Sequence, residues 1–340
     1  MGNTGAANAR VNIVGEHTDY NAGLVLPTLI PPSTMVEVRA RTDRRVTLRS
    51  DAQNDAAEAS LDERIPRRDW SDYVIGVADV LLRRGLELRG FDAVIRSTIP
   101  SGAGLASSAA LCVASARALR DAFRLALDER EIALIAHEAE DRFVGAHVGL
   151  MDQLVCAIGR EGNALFIDIR DHEMRDLPLG AVDIAVIDSG IRHDNAAGEY
   201  NVRRHECEDA AQALGLRTLR DVRDVDALAR LDPTLQRRAR HVVTENDRVR
   251  RAVDALERGD VAALGTIVNL SHESLRDDFD VSVPPIDAIV AAAQRDPDVY
   301  GARITGAGFG GSVLVLARPG TGRAAAERVV KATSGRVVVP

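Results

Sequence analysis

The chain has 340 residues, a length that predicts about two domains and a large buried core. Hydrophobic residues make up 46%, charged residues 28% and aromatic residues 3%, and 43 basic against 51 acidic residues give a net charge of −8. This is the composition of a globular protein without a basic field for nucleic acid or an anionic membrane, so neither partner is expected.

Lysine is almost absent from the chain. Lys331 is the only lysine, and the other 42 of the 43 basic residues are arginines. The first 330 residues therefore exclude a P-loop, whose lysine binds phosphates, and a protein kinase fold, whose strand lysine pairs with a helix glutamate. Schiff-base chemistry on a lysine is not expected for the same reason.

Cysteine usage and the apolar stretches indicate the compartment. Cys112, Cys156 and Cys207 form no C-x-x-C pair and are odd in number, which argues against a disulfide framework or a structural zinc site. Residues 1–10 lack the apolar stretch of a signal peptide, and the longest uncharged stretch, 97–116, is too polar for a membrane helix. We expect a cytoplasmic location without membrane association.

Hydrophobic periodicity predicts α+β structure in the N-terminal half. Residues 11–14 are predicted to form a strand that leads into a polar loop at 15–23, and residues 35–41 and 45–49 alternate as paired strands do. Residues 51–68 are polar and are expected to form a surface excursion. The elements predicted next are a helix at 70–82, a strand at 91–97, a helix capped by Ser107, a helix at 132–143 and a strand at 164–169.

The C-terminal half also has an α+β pattern. A predicted strand at 182–187 is followed by mainly helical sequence at 199–276. The last predicted elements are strands at 302–305, 313–317 and 337–339 and a helix at 324–333. A proline and a glycine near 177–180 mark the best boundary, which predicts domains at 1–178 and 179–340.

The loop after the first predicted strand concentrates polar side chains. The run R-V-N-I-V-G-E-H-T-D-Y-N, from Arg10, places Glu16, His17 and Asp19 within four positions. A solvated turn, a metal site and a polyol-binding site all fit, although E-H-x-D is not a standard metal-ligand spacing. Carboxylates accept hydrogen bonds from vicinal hydroxyls, and an imidazole donates or accepts one. The pattern alone leaves the three interpretations open.

Two glycine-rich segments lie further along the chain. The first, I-P-S-G-A-G-L-A-S-S-A-A at 99–110, lies between a predicted strand and helix, where glycines let backbone N–H groups approach an anion. An ordinary strand-to-helix turn fits equally well. The second, R-I-T-G-A-G-F-G-G-S at 303–312, lies between two predicted strands, and a hairpin with unusual turns is the simpler interpretation.

Two further carboxylates stand out by position. Asp152 precedes the apolar run 154–158, where a helix N-cap is the simplest role. Glu140 lies among apolar residues on the helix predicted at 132–143 and is expected to be partly buried. The alternative is an edge glutamate beside Arg142.

Together these segments resemble the galactokinase family of GHMP small-molecule kinases. The likeness is collinear from about residue 10 to residue 312, and the run from Arg10 resembles the galactokinase signature. The two glycine-rich segments resemble the family's ATP loop and its C-terminal glycine motif. Four more segments have counterparts in the same order: W-S-D-Y-V-I-G from Trp70, G-L-M-D-Q from Gly149, E-Y-N-V-R-R from Glu199 and S-H-E-S-L-R-D-D-F from Ser271.

The resemblance implies a fold and a reaction. The fold is α+β with a two-domain GHMP kinase architecture, an N-terminal domain like ribosomal protein S5 domain 2 and a ferredoxin-like C-terminal domain. The reaction transfers a phosphoryl group from ATP to the 1-hydroxyl of galactose, a neutral monosaccharide, with Mg²⁺ as cofactor. Phosphoryl transfer depends on positioning and charge neutralisation more than on covalent chemistry, which is compatible with the scarcity of lysine.

The resemblance also implies roles for particular residues. Asp152 is the base or electrostatic partner of the reacting sugar hydroxyl, and Arg10 stabilises charge beside it. Ser108 and Glu140 hold Mg²⁺. The residues implied in sugar binding are Glu16, His17, Thr18, Asp19, Gly149 and Tyr200. The residues implied in ATP binding are Ser50, Gly102, Ala103, Gly104, Leu105, Ala106, Ser107 and Ser108.

Four positions depart from the family pattern. Ala9 and Ala22 replace glycines, Ala106 replaces a serine, and Pro285 stands where glutamate is common. None removes a catalytic side chain, so they bear on sugar preference more than on kinase activity. Two alternatives stay open: a related GHMP kinase acting on arabinose, galacturonate or an N-acetyl sugar, and a non-catalytic sensor of sugar and ATP. The uninterrupted ATP loop and Asp152 argue against the sensor.

Overall fold

The computed structural model describes residues 2–51, 53–146, 148–191 and 196–339. Its strands are β1 (Asn3–Asn12), β2 (Leu24–Val25), β3 (Pro27–Ala40), β4 (Arg45–Ser50), β5 (Asp55–Ser60), β6 (Phe91–Ser97), β7 (Asn163–Asp168), β8 (Glu173–Pro178), β9 (Asp183–Asp188), β10 (Val299–Thr305), β11 (Ser312–Ala317) and β12 (Arg336–Val339). Its α-helices are α1 (Ser71–Arg83), α2 (Ser107–Phe123), α3 (Glu129–Glu138), α4 (Met151–Ile158), α5 (Ala196–Ala213), α6 (Pro233–Glu257), α7 (Val261–Asp277), α8 (Pro284–Arg295) and α9 (Gly322–Ala332). Short 3₁₀ segments are Asp19–Asn21, Leu219–Asp221 and Val225–Arg230, and a π-helix spans Ala139–Val144. Across these described ranges, no helix combines the length and apolar character that a membrane crossing needs.

The chain divides into two compact units. The first unit comprises Met1–Arg10, Leu29–Ser101 and Ala106–Gly159, and the second comprises Val11–Thr28, Gly102–Leu105 and Arg160–Pro340. The loop after β1 and the glycines of the first glycine-rich segment therefore belong to the second unit, although they come from the N-terminal part of the chain. The domain boundary at residue 178 stays a prediction.

In the sheet of the first unit, β6 lies between β3 and β4. It runs antiparallel to β3 and parallel to β4. The prediction that 35–41 and 45–49 pair directly is therefore wrong, although both stretches form strands. Gly90 explains the insertion, because its N–H donates to the Asp43 carbonyl and a Cβ there would lie 2.3 Å from the Arg45 carbonyl oxygen. Only a glycine lets β6 start this close to the turn that joins its two neighbours.

Two strands of the N-terminal half differ from the sequence prediction. β5 pairs antiparallel with β4 over six residues, so the stretch expected to be a surface excursion contains a strand that the pattern missed, while most of its described residues are exposed as expected. β1 runs for ten residues, of which the prediction at 11–14 found only the end. Residues 3–9 are small or polar and give no hydrophobic alternation, which is why the pattern missed them.

The helices of the first unit carry four of the predicted site residues, namely Ser107, Ser108, Glu140 and Asp152. α1 confirms the helix predicted at 70–82 within one residue. α2 begins at Ser107, whereas its N-cap is Ala106 in a left-handed conformation with φ 59°, so the prediction that Ser107 caps the helix is wrong by one residue. α3 stops at Glu138 and continues as the π-helix, which carries Glu140. Widened turns of this kind are frequent at functional sites.

The second unit is built on an antiparallel sheet of order β10-β11-β9-β12, and a separate set of strands places β7 between β2 and β8. β9 to β12 and α9 confirm the elements predicted for the C-terminal half. Helix α7 approaches β10 closely, because a Cβ on Gly301 would lie 2.2 Å from the Gly265 carbonyl oxygen. This contact brings Ser271 of α7 next to Arg303 of β10, at 3.1 Å.

Candidate functional site

Residues 15–23, which follow β1, form a tight turn in the second unit that we call the signature loop. His17 and Ala22 adopt left-handed backbone conformations with φ 60° and 53°, and Asp19–Asn21 form one 3₁₀ turn. Thr18 is fully buried, and its hydroxyl lies 2.8 and 2.6 Å from two backbone carbonyl oxygens at the ends of the loop. The Thr18 side chain therefore closes the turn.

Glu16 is buried in this loop and is bonded by β10 and the turn that follows it. Its Oε1 accepts hydrogen bonds from Arg303 Nη2 at 2.7 Å, from Thr305 Oγ1 at 3.0 Å and from the Gly306 N–H at 2.7 Å. Its Oε2 accepts a longer bond from Asn12 Nδ2 at 3.3 Å. Oε1 is saturated, so the capacity to accept a further donor lies on Oε2.

His17 lies in a cluster of aromatic rings. Its ring centroid is 4.6 Å from that of Phe279 and 5.6 Å from that of Tyr200, and its Nδ1 lies 2.9 Å from the Tyr20 hydroxyl. Burial lowers the pKa of His17 to about 3, so the imidazole is neutral near pH 7. Its Nε2 is buried and has no hydrogen-bond partner among the described residues, which leaves one polar atom for a ligand.

Asp19 and Tyr200 complete the predicted sugar-binding residues of the second unit. Asp19 is half-buried on the 3₁₀ turn, and Tyr200 of α5 meets the Tyr20 ring edge-on at 5.4 Å. The second unit thus brings together five of the residues that the sequence selected, namely Glu16, His17, Thr18, Asp19 and Tyr200.

The two glycine-rich segments meet in the second unit. Residues 306–311 do form the loop of the β10–β11 hairpin, and this loop packs against Gly102–Leu105. Ser312 Oγ donates to the Ala103 carbonyl oxygen at 2.7 Å. A Cβ on Gly306 would lie 3.1 Å from the Gly104 carbonyl oxygen, and both glycines have a positive φ. The hairpin loop therefore packs closely against the backbone of the first glycine-rich segment.

The end of the first glycine-rich segment begins helix α2 in the first unit. The N–H groups of a first helical turn have no intrahelical acceptor, and the helix dipole favours an anion there. Ser107 and Ser108 line a cavity of about 130 Å³ together with Ser50, Trp70 and Tyr73. Hydroxyl donors and aromatic ring surface thus lie beside a helix N-terminus.

Asp152 is the second residue of α4 and does not cap it, so the simplest sequence interpretation is wrong. Its carboxylate accepts two hydrogen bonds from Arg10, Nε to Oδ1 at 2.6 Å and Nη2 to Oδ2 at 2.5 Å. The Arg10 side chain is 6% exposed and that of Asp152 is 24% exposed. The bidentate pair fixes the plane of a carboxylate that solvent still reaches. Gly149 lies in the turn just before α4.

Glu140 is buried on the π-helix and is not the exposed residue of the alternative interpretation. Gln153 Nε2 donates to Glu140 Oε1 at 2.7 Å, and the Ser108 hydroxyl also bonds to this carboxyl group. Burial raises the pKa of Glu140 to about 7, although both hydrogen bonds favour the charged form. Gln153 Oε1 is buried without a partner in the described part of the chain.

The oxygens around Glu140 fit a magnesium ion. Ser108, Glu140 and Gln153 offer a hydroxyl, a carboxylate and an amide oxygen, and Mg²⁺ binds such hard donors together with waters and phosphate oxygens. Within the described residues, no group of three or more His, Cys, Asp or Glu side chains could hold a metal. A sparse ligand set of this kind needs a nucleotide to complete it.

Arg303 and Glu245 are among the buried residues that contact the signature loop although the sequence did not select them as site residues. Arg303 stands out in the sequence only as the first letter of its glycine motif, yet it is fully buried and donates to the Asn12 carbonyl oxygen and to Glu16. Glu245 of α6 is also fully buried and accepts from the N–H groups of Gly15 and Glu16 at 2.8 and 3.3 Å. A glutamate on a highly charged helix gives no signal of such a role.

Comparisons with known sequences agree with this geometry. The chain matches the families described as GHMP kinases N terminal domain at 72–160, GHMP kinases C terminal at 252–334 and Galactokinase galactose-binding signature at 4–40. A galactokinase of Chloroflexus aggregans is 46% identical over 91% of this chain and 82% of that protein. A galactokinase of a Roseiflexus species is 47% identical over the same shares of the two chains.

Comparisons with solved structures confirm the predicted α+β two-domain fold. The crystal structure of Lactococcus lactis galactokinase complexed with galactose matches with a TM-score of 0.92 at 30% identity, over 97% of this chain and 89% of that one. The Methanococcus jannaschii mevalonate kinase matches over 98% of this chain and 96% of that one with a TM-score of 0.75 at 18% identity, a likeness of fold alone. Sequence, fold and signature loop agree, and the chain belongs to the galactokinase family of GHMP kinases.

Proposed function

We propose that this chain transfers the terminal phosphoryl group of ATP to the 1-hydroxyl of galactose. The observation that carries the proposal is the signature loop, which lies inside the region matching the galactose-binding signature. The loop offers a neutral imidazole with an open Nε2 and two carboxylates, the groups that bind a neutral polyol through hydroxyl hydrogen bonds. The two relatives compared above are galactokinases, and their similarity extends over 91% of this chain.

Asp152 and Arg10 are the residues that we assign to the reaction itself. Asp152 accepts the proton of the sugar 1-hydroxyl or stabilises the attacking oxygen electrostatically, and Arg10 fixes its carboxylate through two hydrogen bonds. Arg10 also provides a positive charge beside the transferred phosphoryl group, where negative charge is spread over the equatorial oxygens. Gly149, just before α4, is assigned to the sugar-binding residues with the five residues of the second unit.

The ATP loop and the cavity beside it are the parts that we assign to the nucleotide. Residues 102–108 wrap the triphosphate, and Ser50 contacts the nucleotide in the cavity that Trp70 and Tyr73 also line. Ser108 and Glu140 hold Mg²⁺, which neutralises charge on the phosphates when it is bound. The backbone N–H groups at the start of α2 hold phosphate oxygens in place.

Two further assignments follow from the sequence. A cytoplasmic location is supported by the three cysteines, which are free and buried. Domains at 1–178 and 179–340 are supported by the position of the two GHMP family matches, one on each side of the boundary.

A coupled assay of ADP release with a panel of monosaccharides tests the proposed function. Galactose is expected to give the highest kcat/KM, with arabinose, galacturonate, N-acetylgalactosamine and glucose well below it. A sugar acid or an N-acetyl sugar that outperforms galactose would move the chain to another GHMP activity. Binding of galactose and ATP without any ADP release would favour the sensor.

Removing the proposed magnesium ligands should raise the metal requirement. Ser108→Ala and Glu140→Gln are each expected to raise the Mg²⁺ concentration for half-maximal rate roughly 10-fold, a common cost when one group around a metal is lost. Ser115→Ala is the matched control, because it removes another hydroxyl of α2 that is buried and unpartnered among the described residues. An unchanged Mg²⁺ dependence in both variants contradicts the assignment.

Asp19 is expected to determine the preference for galactose over glucose. By the family resemblance its carboxylate meets the 3- and 4-hydroxyls, and both must point at one acceptor. Glucose, the 4-epimer, leaves a carboxylate oxygen underbonded at a cost of about 1–3 kcal/mol. That cost is roughly 5- to 150-fold in kcat/KM from this contact alone.

The measurement is kcat/KM for both sugars in the wild-type protein and in Asp19→Ala. The variant should lose activity on galactose and narrow the gap to glucose. If the ratio of kcat/KM for galactose to that for glucose is the same in Asp19→Ala as in the wild-type protein, other groups, such as Tyr200, discriminate between the two sugars.

A further inference from the structure

We propose that Glu245 and Arg303 are positioning residues that hold the signature loop in its sugar-binding conformation. Neither touches the sugar in this proposal, and both act through the backbone of the loop and through Glu16. The inference rests on the proposed function and extends it from the loop to α6, α7 and β10, which lie beneath it.

Glu245 fixes the start of the loop from helix α6. Its side chain is 0% exposed, and its Oε1 accepts hydrogen bonds from the Gly15 N–H at 2.8 Å and the Glu16 N–H at 3.3 Å. Ser271 Oγ donates to the same oxygen at 2.7 Å. The N–H groups of Gly15 and Glu16 are therefore both held by one buried carboxylate oxygen.

Arg303 fixes the same stretch from strand β10. Its Nη2 donates to the Asn12 carbonyl oxygen and to Glu16 Oε1, both at 2.7 Å, and its Nη1 donates to Ser271 Oγ at 3.1 Å. The side chain is 0% exposed, and its Nη1 lies 3.9 Å from Glu245 Oε1. One guanidinium thus links the chain before the loop, the functional carboxylate and the partner Glu245.

The energetic balance favours a positioning role over a gain in stability. Burying two carboxylates and a guanidinium costs desolvation free energy, and well-packed apolar residues often stabilise a core as well or better. Here Glu245 Oε1 and Arg303 Nη2 bond to the signature loop or to the chain just before it, where small displacements change the orientation of hydroxyl acceptors. A displacement of about 1 Å costs on the order of 10²-fold in rate or binding at such sites.

Arg248 provides a matched contrast within the same network. Its Nε donates to Glu245 Oε2 at 2.6 Å, and within the described residues it makes no hydrogen bond to the signature loop. Arg303 and Arg248 are therefore two buried arginines paired with the same glutamate, of which only Arg303 bonds to the loop. Replacing each by lysine keeps the charge and removes the planar fork.

The first test compares Arg303→Lys with Arg248→Lys in steady-state kinetics. Arg303→Lys is expected to raise the KM for galactose about 10-fold, while the KM for ATP changes less than about 2-fold, because only the loop is released. Arg248→Lys, which can disturb the loop only through Glu245 Oε2, should raise the KM for galactose clearly less than Arg303→Lys does, even if its melting temperature falls. Equal effects of the two variants on the KM for galactose, or no effect of Arg303→Lys, overturn the proposal.

The second test measures hydrogen exchange of residues 11–26 in the full chain without substrate. Arg303→Lys should speed exchange of the Gly15 and Glu16 amides about 10-fold or more relative to the wild-type protein, and Arg248→Lys should not. If the wild-type protein fails to phosphorylate galactose, the proposed function fails and this measurement alone decides the positioning role. If Arg303→Lys does not fold, Thr305→Val replaces it, because it removes one bond to Glu16 Oε1; unchanged exchange and an unchanged KM in that variant overturn the proposal.

Discussion

Asp152→Asn is expected to lower kcat about 100-fold or more while binding of galactose and ATP persists. The amide keeps the shape of the carboxylate but loses its charge and its ability to accept a proton, a loss on the usual scale of a positioned acid–base or electrostatic group. The amide N–H₂ also faces Arg10, so at least one of the two hydrogen bonds at 2.5 and 2.6 Å is lost. The kcat comes from the coupled assay, and both dissociation constants come from calorimetry.

Asp79→Asn is the matched control for this variant. Asp79 of α1 is 4% exposed and is also held by two arginines, Arg64 and Arg83, each at 2.6 Å. The same chemical change there should lower stability and leave kcat nearly unchanged. Near-normal turnover in Asp152→Asn would mean that the Arg10–Asp152 pair only holds α4 against β1.

Lowering the pH from 7.5 to 5 is expected to lower the free energy of unfolding by several kcal/mol. Burial lowers the pKa of His17 and His241 to about 3 and that of His272 to about 4, whereas the unfolded chain titrates near 6.5. The unfolded state therefore binds more protons below pH 6.5, and stability is lost as the pH falls from 6.5 toward 3. Each histidine accounts for roughly 2 kcal/mol at pH 5. Glu140, whose pKa burial raises to about 7, acts in the opposite direction and offsets part of the loss.

The variant His241→Gln measures how much one of these histidines contributes to the pH dependence of stability. His241 Nε2 lies 3.1 Å from the Glu16 carbonyl oxygen and Nδ1 lies 2.9 Å from Ser274 Oγ, contacts that a glutamine partly reproduces. The variant should be less stable at pH 7.5, but its stability should fall less steeply below pH 6.5, by about one proton or about 1.4 kcal/mol per pH unit. Urea unfolding at several pH values in the absence of metal measures the slope. An unchanged slope would show that His241 takes up its proton without unfolding.

The sequence correctly predicted those helices and strands whose apolar residues recur with a regular spacing or form a continuous run. The helix at 70–82 and the strand at 182–187 lie within about one residue of α1 and β9, because burial of one face or of a whole strand dictates their composition. The order of the strands in the sheet could not be predicted from such local patterns. Whether β4 pairs with β3 or leaves room for β6 depends on Gly90, which lies some 45 residues away and has no local signature.

The candidate site was predictable where its residues lie together in a motif. The run from Arg10 located the signature loop, and the serine–glutamate pair was implied by the family resemblance. The burial of Glu140 depends on a π-helix, which no periodicity predicts, since one widened turn changes the direction of the side chain. The role of Glu245 was not predictable, because its partner Gly15 is 230 residues away and its own helix is rich in charged residues.

The distance along the chain between the signature loop and its buried partners has a consequence for biosynthesis. Arg303 is added 287 residues after Glu16, which at about 5–20 residues per second is a delay of roughly 15–60 s on the ribosome. Until then Glu16 Oε1 has none of its three donors from β10 and the turn after it. A nascent chain therefore carries the galactokinase signature long before its signature loop can take the bonded conformation that binds a sugar. A chain whose synthesis stops before Arg303 never forms that conformation.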